Sequence, residues 1–165
     1  MAILAILSSG VVIWFMGYQR QAELDSTSKI IVDTLRDAQS RSISGKDFRK
    51  WGVCFDAIDN KFTLFRNDCN NNSAQDNGET GIDCGGGGCF DCDLKCNGVA
   101  VKEENYLSSF VKIGIVSIAG GGNKIIFNNL SGGTAQYGTI KIEQLNNSVS
   151  FKNVIVTELG KIDRE

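Results

Sequence analysis

The chain has 165 residues, of which 22% are charged and 42% hydrophobic. That length suits one domain with at most an appendage, and that composition excludes wholesale disorder. Net charge is −2 and there is no His, so charge indicates no nucleic-acid partner, and Ser-His-Asp catalysis, Cys-His catalysis and His-ligated zinc are excluded. Pro is also absent, while Gly and Asn are frequent; turns must be made by Gly, Asn and Asp, which tolerate positive φ.

Residues 2–18, AILAILSSGVVIWFMGY, carry no charge. A membrane span needs about 20 apolar residues, so the run is marginal, and Ser8, Ser9 and Gly10 interrupt it. As a cleaved secretory signal it fits poorly, because no Lys or Arg precedes it and no A-x-A-like site ends it. As a buried core helix it lacks a polar face. From Gln19 to about Gly45 the chain has no breaker and turns amphipathic. Leu24, Ile31, Leu35 and Ala38 recur at helical spacing with Ile30 beside them, while Arg20, Glu23, Lys29, Asp33, Arg36 and Asp37 fall mostly elsewhere around the helix. The pattern predicts one continuous helix, greasy all round over 1–18 and amphipathic over 19–50. At ~1.5 Å per residue a helix reaching Gly45 is roughly 65 Å long. A small core is narrower, so the first half is expected to protrude and to need lipid or a bundle of its own kind. The expected membrane or assembly surface is Ile3, Leu4, Ile6, Leu7, Val11, Val12, Ile13, Trp14 and Phe15.

A β domain is predicted over 51–165. Gly52 to Ile58 and Lys61 to Arg66 alternate with period two around Asp59-Asn60, a two-residue hairpin candidate. Further on, Phe110 to Ile118 reads as a strand that Gly120-Gly121-Gly122-Asn123 turns into Lys124 to Asn128. Gly138 to Glu143 and Val149 to Val156 are two more, joined at Asn146-Asn147. Short antiparallel strands on one long helix make an α+β fold, with the C-terminal half of the helix packed on the sheet. The Gly runs at 85–88 and 120–122 are not phosphate loops, since neither is followed by Lys-Ser/Thr.

Residues 67–98 form an acidic, Cys-rich insert. Five of the six Cys fall there, and residues 66–93 set one Arg against Asp68, Asp76, Glu79, Asp83, Asp91 and Asp93. Four chemistries compete. Cys84-x4-Cys89-x2-Cys92 matches the first three ligands of a plant-type iron–sulfur site, but no Cys follows Cys96 to complete it. Cys89-x2-Cys92 with Cys84 and Cys96 offers a zinc set of shorter spacing than two typical knuckles. Disulfides are the plainest reading of six Cys (Cys54, Cys69, Cys84, Cys89, Cys92, Cys96), with Cys54 tied to the insert and the pairing left open. Calcium is compatible with disulfides. Asp68, Asn70, Asn72, Asp76, Glu79 and Asp83 supply the hard oxygens that Ca²⁺ requires, and Gly78 and Gly81 allow tight turns. The stretch Asp-Asn-Gly-Glu-Thr-Gly-Ile-Asp-Cys-Gly-Gly also resembles a Cys-rich motif of exported bacterial proteins with Ca²⁺-stabilised loops. Against this stands a solvated acidic loop.

The segment MAILAILSSGVVIWF resembles the interior of a type IV pilin or pseudopilin N-terminal helix. Ser28 to Gly45, SKIIVDTLRDAQSRSISG, resembles the amphipathic half-helix of the minor pseudopilin and FimT-like group, and Ile155 to Ile162 resembles that group's last hairpin. The family's processing site and the Glu near its mature N-terminus are missing, and position 5 is Ala. Met1 sits where an internal Met of that helix would sit, so residues are expected to precede it. The resemblance implies strands packed on the C-terminal half of the helix and a structural, non-enzymatic subunit of a type IV pilus or type II secretion filament. It implies a single-pass inner-membrane stage before assembly, with other pilin or pseudopilin subunits and the inner membrane as partners. The alternative is a membrane-anchored extracytoplasmic binding or adhesion module that uses the stapled loop.

Overall fold

The computed structural model describes residues 2–45, 49–67, 101–120, 122–145 and 147–165, with side chains from residue 17 onward except 67, 101 and 102. The chain order is α1 (Ala2–Ile43), β1 (Lys50–Asp56), β2 (Lys61–Asn67), β3 (Val101–Tyr106), β4 (Val111–Ile118), β5 (Lys124–Phe127), β6 (Gly138–Gln144), β7 (Asn147–Val156) and β8 (Ile162–Arg164). The strands form two four-stranded antiparallel sheets, ordered β3-β2-β1-β5 and β4-β6-β7-β8. α1 packs on both, chiefly against β1 of the first and β7 and β8 of the second. The α+β fold read from the sequence, one long N-terminal helix on antiparallel strands, is the observed one.

α1 forms because its apolar residues keep one side over many turns. Leu24, Ile31, Leu35 and Ala38 are fully buried, and Val32 joins them. Ile30 lies off the stripe, 47% exposed. Arg41 stands in the last turn, where a cation meets the negative end of the helix dipole. The helix stops through Gly45 at φ 63°, whose N–H bonds the Ser42 carbonyl at 3.1 Å.

The core lies between α1 and the inner faces of both sheets. Trp51, Val53, Phe55, Phe62, Leu64, Ile125 and Phe127 come from the first sheet, and Val111, Ile113, Ile140, Ile142, Val154 and Val156 from the second. The first sheet is buried on its other face as well, where Cys54 and Phe65 cluster with Ile126. Gly52 makes that packing possible. A Cβ there would collide with the Ile125 carbonyl oxygen and stand 3.1 Å from the Phe65 ring.

Several sequence expectations are corrected. The β1–β2 turn has four residues rather than two, since Asp56 pairs with Lys61. Asp56 Oδ1 accepts the N–H groups of Ile58 and Asp59 at 3.0 and 2.9 Å, and Asn60 takes φ 50° to close the turn. The Gly120–Asn123 turn does not make a hairpin, because β5 leaves the sheet of β4 and pairs with β1. The β6–β7 turn lies one residue earlier than read, with Gln144 opposite Asn147.

The membrane-spanning reading of residues 1–18 is also corrected. No helix among the described residues is long and apolar enough to cross a membrane. The physical reason is length: residues 2–18 at ~1.5 Å each give roughly 26 Å, short of a ~30 Å hydrocarbon core, with Ser8, Ser9 and Gly10 inside the run and Arg20 just after it. The single-pass inner-membrane location inferred from that run falls with it. Among the described residues, the expected disulfide framework is seen at Cys54 only. Cys54 is disulfide-bonded, but Cys69, Cys84, Cys89, Cys92 and Cys96 lie outside the described residues. No complete disulfide pair therefore stands among the described residues.

Candidate functional site

The calcium candidates Asp68, Asn70, Asn72, Asp76, Glu79 and Asp83 lie outside the described residues. Among the described residues, no group of three or more His, Cys, Asp or Glu side chains is placed to hold a metal. Ile3 to Phe15 lie on the α1 backbone, with their side chains outside the description. What the structure does show is how the rest of α1 is fixed and which surfaces that leaves open.

The C-terminal half of the helix is tied down by polar contacts whose partners are distant in sequence. Gln39 Nε2 donates to the carbonyls of Gly132 at 2.9 Å and Gly160 at 2.7 Å, joining two loops to one side chain. Gly160 sits at φ 82°, and a Cβ there would strike the Gly132 carbonyl, so the two loops meet backbone to backbone. Ser42 Oγ, fully buried, accepts the Trp51 N–H at 2.8 Å, and the Arg41 guanidinium stacks 4.7 Å from the Trp51 ring centroid. At the other end of the docked half, Arg164 Nη1 on β8 donates to the Asp25 carbonyl at 3.0 Å and to Ser28 Oγ at 3.2 Å. Ser150 Oγ on β7 donates to Gln21 Oε1 at 3.3 Å. α1 from Gln21 to Ser42 is thereby one rigid piece with the sheets.

Two ionic clusters stiffen the sheet surfaces. Glu143, buried on β6, takes Lys141 at 2.9 Å and Lys112 at 3.1 Å. Its carboxylate lies over Gly114, where a Cβ would come within 2.9 Å of the Glu143 side chain. Hydrogen bonds from Lys141 and then Lys112 hold the Glu143 carboxyl below its ordinary value, against the opposing effect of burial. Lys141 also stands 4.6 Å from the Phe151 ring centroid. On the first sheet, the buried Lys61 pairs with Glu104 at 3.0 Å, and that hydrogen bond holds its ammonium above the ordinary value. The Lys61–Glu104 pair is neutral and the Glu143 cluster carries one net positive charge; in both the carboxylate is held by its lysine partners, an arrangement that supports packing rather than proton transfer.

One open surface with apolar members lies at the rim. Where α1 leaves the sheets, Phe110 and Leu145 are exposed. Arg20, Phe110, Leu145 and Asn147 there line a cavity of about 120 Å³. A second groove of about 230 Å³ runs between the outer side of α1 (Lys29, Asp33, Arg36) and β8 (Ile162, Asp163, Arg164). Sequence reasoning missed the rim, because its members come from three separate elements and share no motif.

No protein-family model matches the chain. No curated protein matches it either. Among solved structures, the chain is similar to the minor pseudopilin EpsH from the Type 2 Secretion System of Vibrio cholerae, with 13% identity and a TM-score of 0.54 over 87% of this chain and 96% of that one. It is also similar to the type IV minor pilin FimU of Pseudomonas aeruginosa, with 12% identity and a TM-score of 0.51 over 86% of this chain and 92% of that one. The likeness reaches the pilin fold in general rather than the FimT-like group in particular. The chain folds as these pilin-like proteins do, one N-terminal helix packed on antiparallel sheets.

Proposed function

We propose that this protein is a structural subunit of a pilin-like filament, of the kind found in type IV pili or type II secretion systems, and that its partners are other subunits of similar fold. The observation that carries the reading is the fold itself, matched across 96% of the EpsH chain and 92% of the FimU chain. The site geometry agrees with it. One half of α1 is locked to the sheets through Gln39, Ser42, Asp25 and Ser28, while the uncharged run of residues 2–18 continues along the same helix. An apolar helical run gains roughly 25 cal/mol per Å² of surface covered, and the rim of Phe110 and Leu145 adds more apolar surface beside it. The role is assembly, and the reading assigns the protein no reaction.

The test is fractionation of cells expressing the tagged full chain with its native neighbours. Recovery in the sheared-filament fraction, with labelling along fibres by immunogold microscopy, is expected. A protein found only as single molecules, and never with fibres, overturns the reading.

A further inference from the structure

Two charges flank the apolar rim. Arg20 lines the cavity beside Phe110 and Leu145, and Glu23 follows it one turn along α1. Both are half-buried, and neither has an ion-pair partner among the described residues. They are poorly arranged to pair with each other, because a cation placed N-terminal to an anion along a helix is the weaker orientation. The helix surface next to them is small. A Cβ at Gly17, one turn before Arg20, would meet nothing within 4 Å, so another helix has room to approach on that side.

We propose that a second copy of this chain docks on the rim through the turn 17–23 of its helix, and that Arg20 of one copy pairs there with Glu23 of the next. The occupant is a second copy because the helix presents both halves of the contact, one unpaired cation and one unpaired anion a turn apart. The rim is also continuous with the uncharged run that leads into that turn. The contact is head-to-tail: each copy offers its Arg20 in one direction and its Glu23 in the other, so it propagates instead of closing into a dimer. Phe110 and Leu145, which line the cavity with Arg20, would lose water on docking, and removing water strengthens the ion pair at the edge. This inference rests on the filament-subunit reading and names the contact that would build the filament.

The test is sedimentation velocity on the full chain over a concentration series, with a thermal melt on every variant to establish folding. Arg20→Glu sets two carboxylates against each other between copies, and Glu23→Arg sets two guanidinium groups. Each variant alone is expected to self-associate at least about tenfold more weakly than the wild type. An equimolar mixture of the two is expected to recover association, because each then supplies the charge that the other lacks. A role confined to one molecule cannot produce recovery in trans. Leu145→Asp, which charges the rim, is expected to weaken association as well. Wild-type association in any single variant, or no recovery in the mixture, overturns the contact and leaves the filament-subunit reading standing. A wild-type chain that stays monomeric throughout overturns both.

Discussion

Gln39 shows how much one side chain decides in this fold. It reaches from the helix to the carbonyls of Gly132 and Gly160, and both loops depend on it for a donor. Gln39→Ala removes both bonds and is expected to cost about 1–3 kcal/mol in urea unfolding, the usual cost of leaving partly buried acceptors unmet. Gln39→Glu should cost more near neutral pH, since a carboxylate would then face two carbonyl oxygens. Glu143 adds a pH dependence of defined sign. Its folded carboxyl binds a proton more weakly than an unfolded Glu, whose ordinary value is ~4.3. Between those two values the unfolded chain holds more protons, so stability rises with pH there. The contribution of Glu143 is complete above ~pH 5 and is lost as the pH falls through the folded value. Glu143→Gln, which abolishes the clamp on Lys112 and Lys141, is therefore expected to lower Tm at neutral pH, with the gap from wild type shrinking on acidification. A gap that stays constant from neutral to acid pH would show that the carboxyl does not titrate in this way. Nothing in the sequence announces either residue: Gln39 is one more polar residue on an amphipathic helix, and Glu143 alternates on β6 as a solvent-facing position would.

At the scale of the element, what could be read from sequence followed the range of the interactions. α1 was legible because its periodicity is local: Leu24, Ile31, Leu35 and Ala38 repeat at helical spacing and all are fully buried. Ile30 sits beside them in sequence but outside them in space, and the two predict opposite outcomes. Leu35→Ala removes a fully buried side chain between α1 and the sheets and is expected to cost about 2–5 kcal/mol. Ile30→Ala, at a 47% exposed position, should fall within about 0.5 kcal/mol of wild type. Chemical denaturation of both variants checks the pair, and equal losses would mean that the helix packs through a different face. The strands were legible where one face is polar and less so elsewhere. β1 has six consecutive buried residues, Trp51 to Asp56, because its sheet is covered on both sides, and continuous burial blurs alternation. β3 has no signature in the sequence, since Val101-Lys102-Glu103-Glu104-Asn105-Tyr106 has no apolar alternation. It is a strand because β2 offers it a ladder from Lys61 to Phe65. The departure of β5 to the other sheet is a long-range choice, fixed by Trp51 to Cys54 pairing with Phe127 to Lys124, and no local pattern encodes it.

At the scale of the whole molecule, the division of α1 into a docked part and an extension follows from where burial begins. Leu24 is the first fully buried residue among the described side chains, and Tyr18 is 66% exposed. The rim beside the emerging helix could not be read from the sequence, because Arg20, Phe110 and Leu145 come together only when the β3–β4 and β6–β7 turns meet. The Leu145 N–H bonding the Phe110 carbonyl at 2.9 Å records that meeting. A chain that begins at Ala22 keeps Leu24, Ile31, Val32, Leu35 and Ala38, both sheets, and the ties through Gln39, Ser42 and Arg164. Among the described contacts to the sheets it gives up the Ser150–Gln21 hydrogen bond, an exposed one, worth about 1 kcal/mol or less. Such a chain is expected to melt cooperatively within a few degrees of the full chain. It lacks Arg20 and the run before it, so it is also expected to stay monomeric at concentrations where the full chain associates. Circular dichroism and sedimentation on the two chains side by side check both halves of the expectation. An unfolded or aggregated short chain would show that residues 1–21 belong to the core, and a short chain that associates as strongly as the full one would place the assembly surface on the sheets.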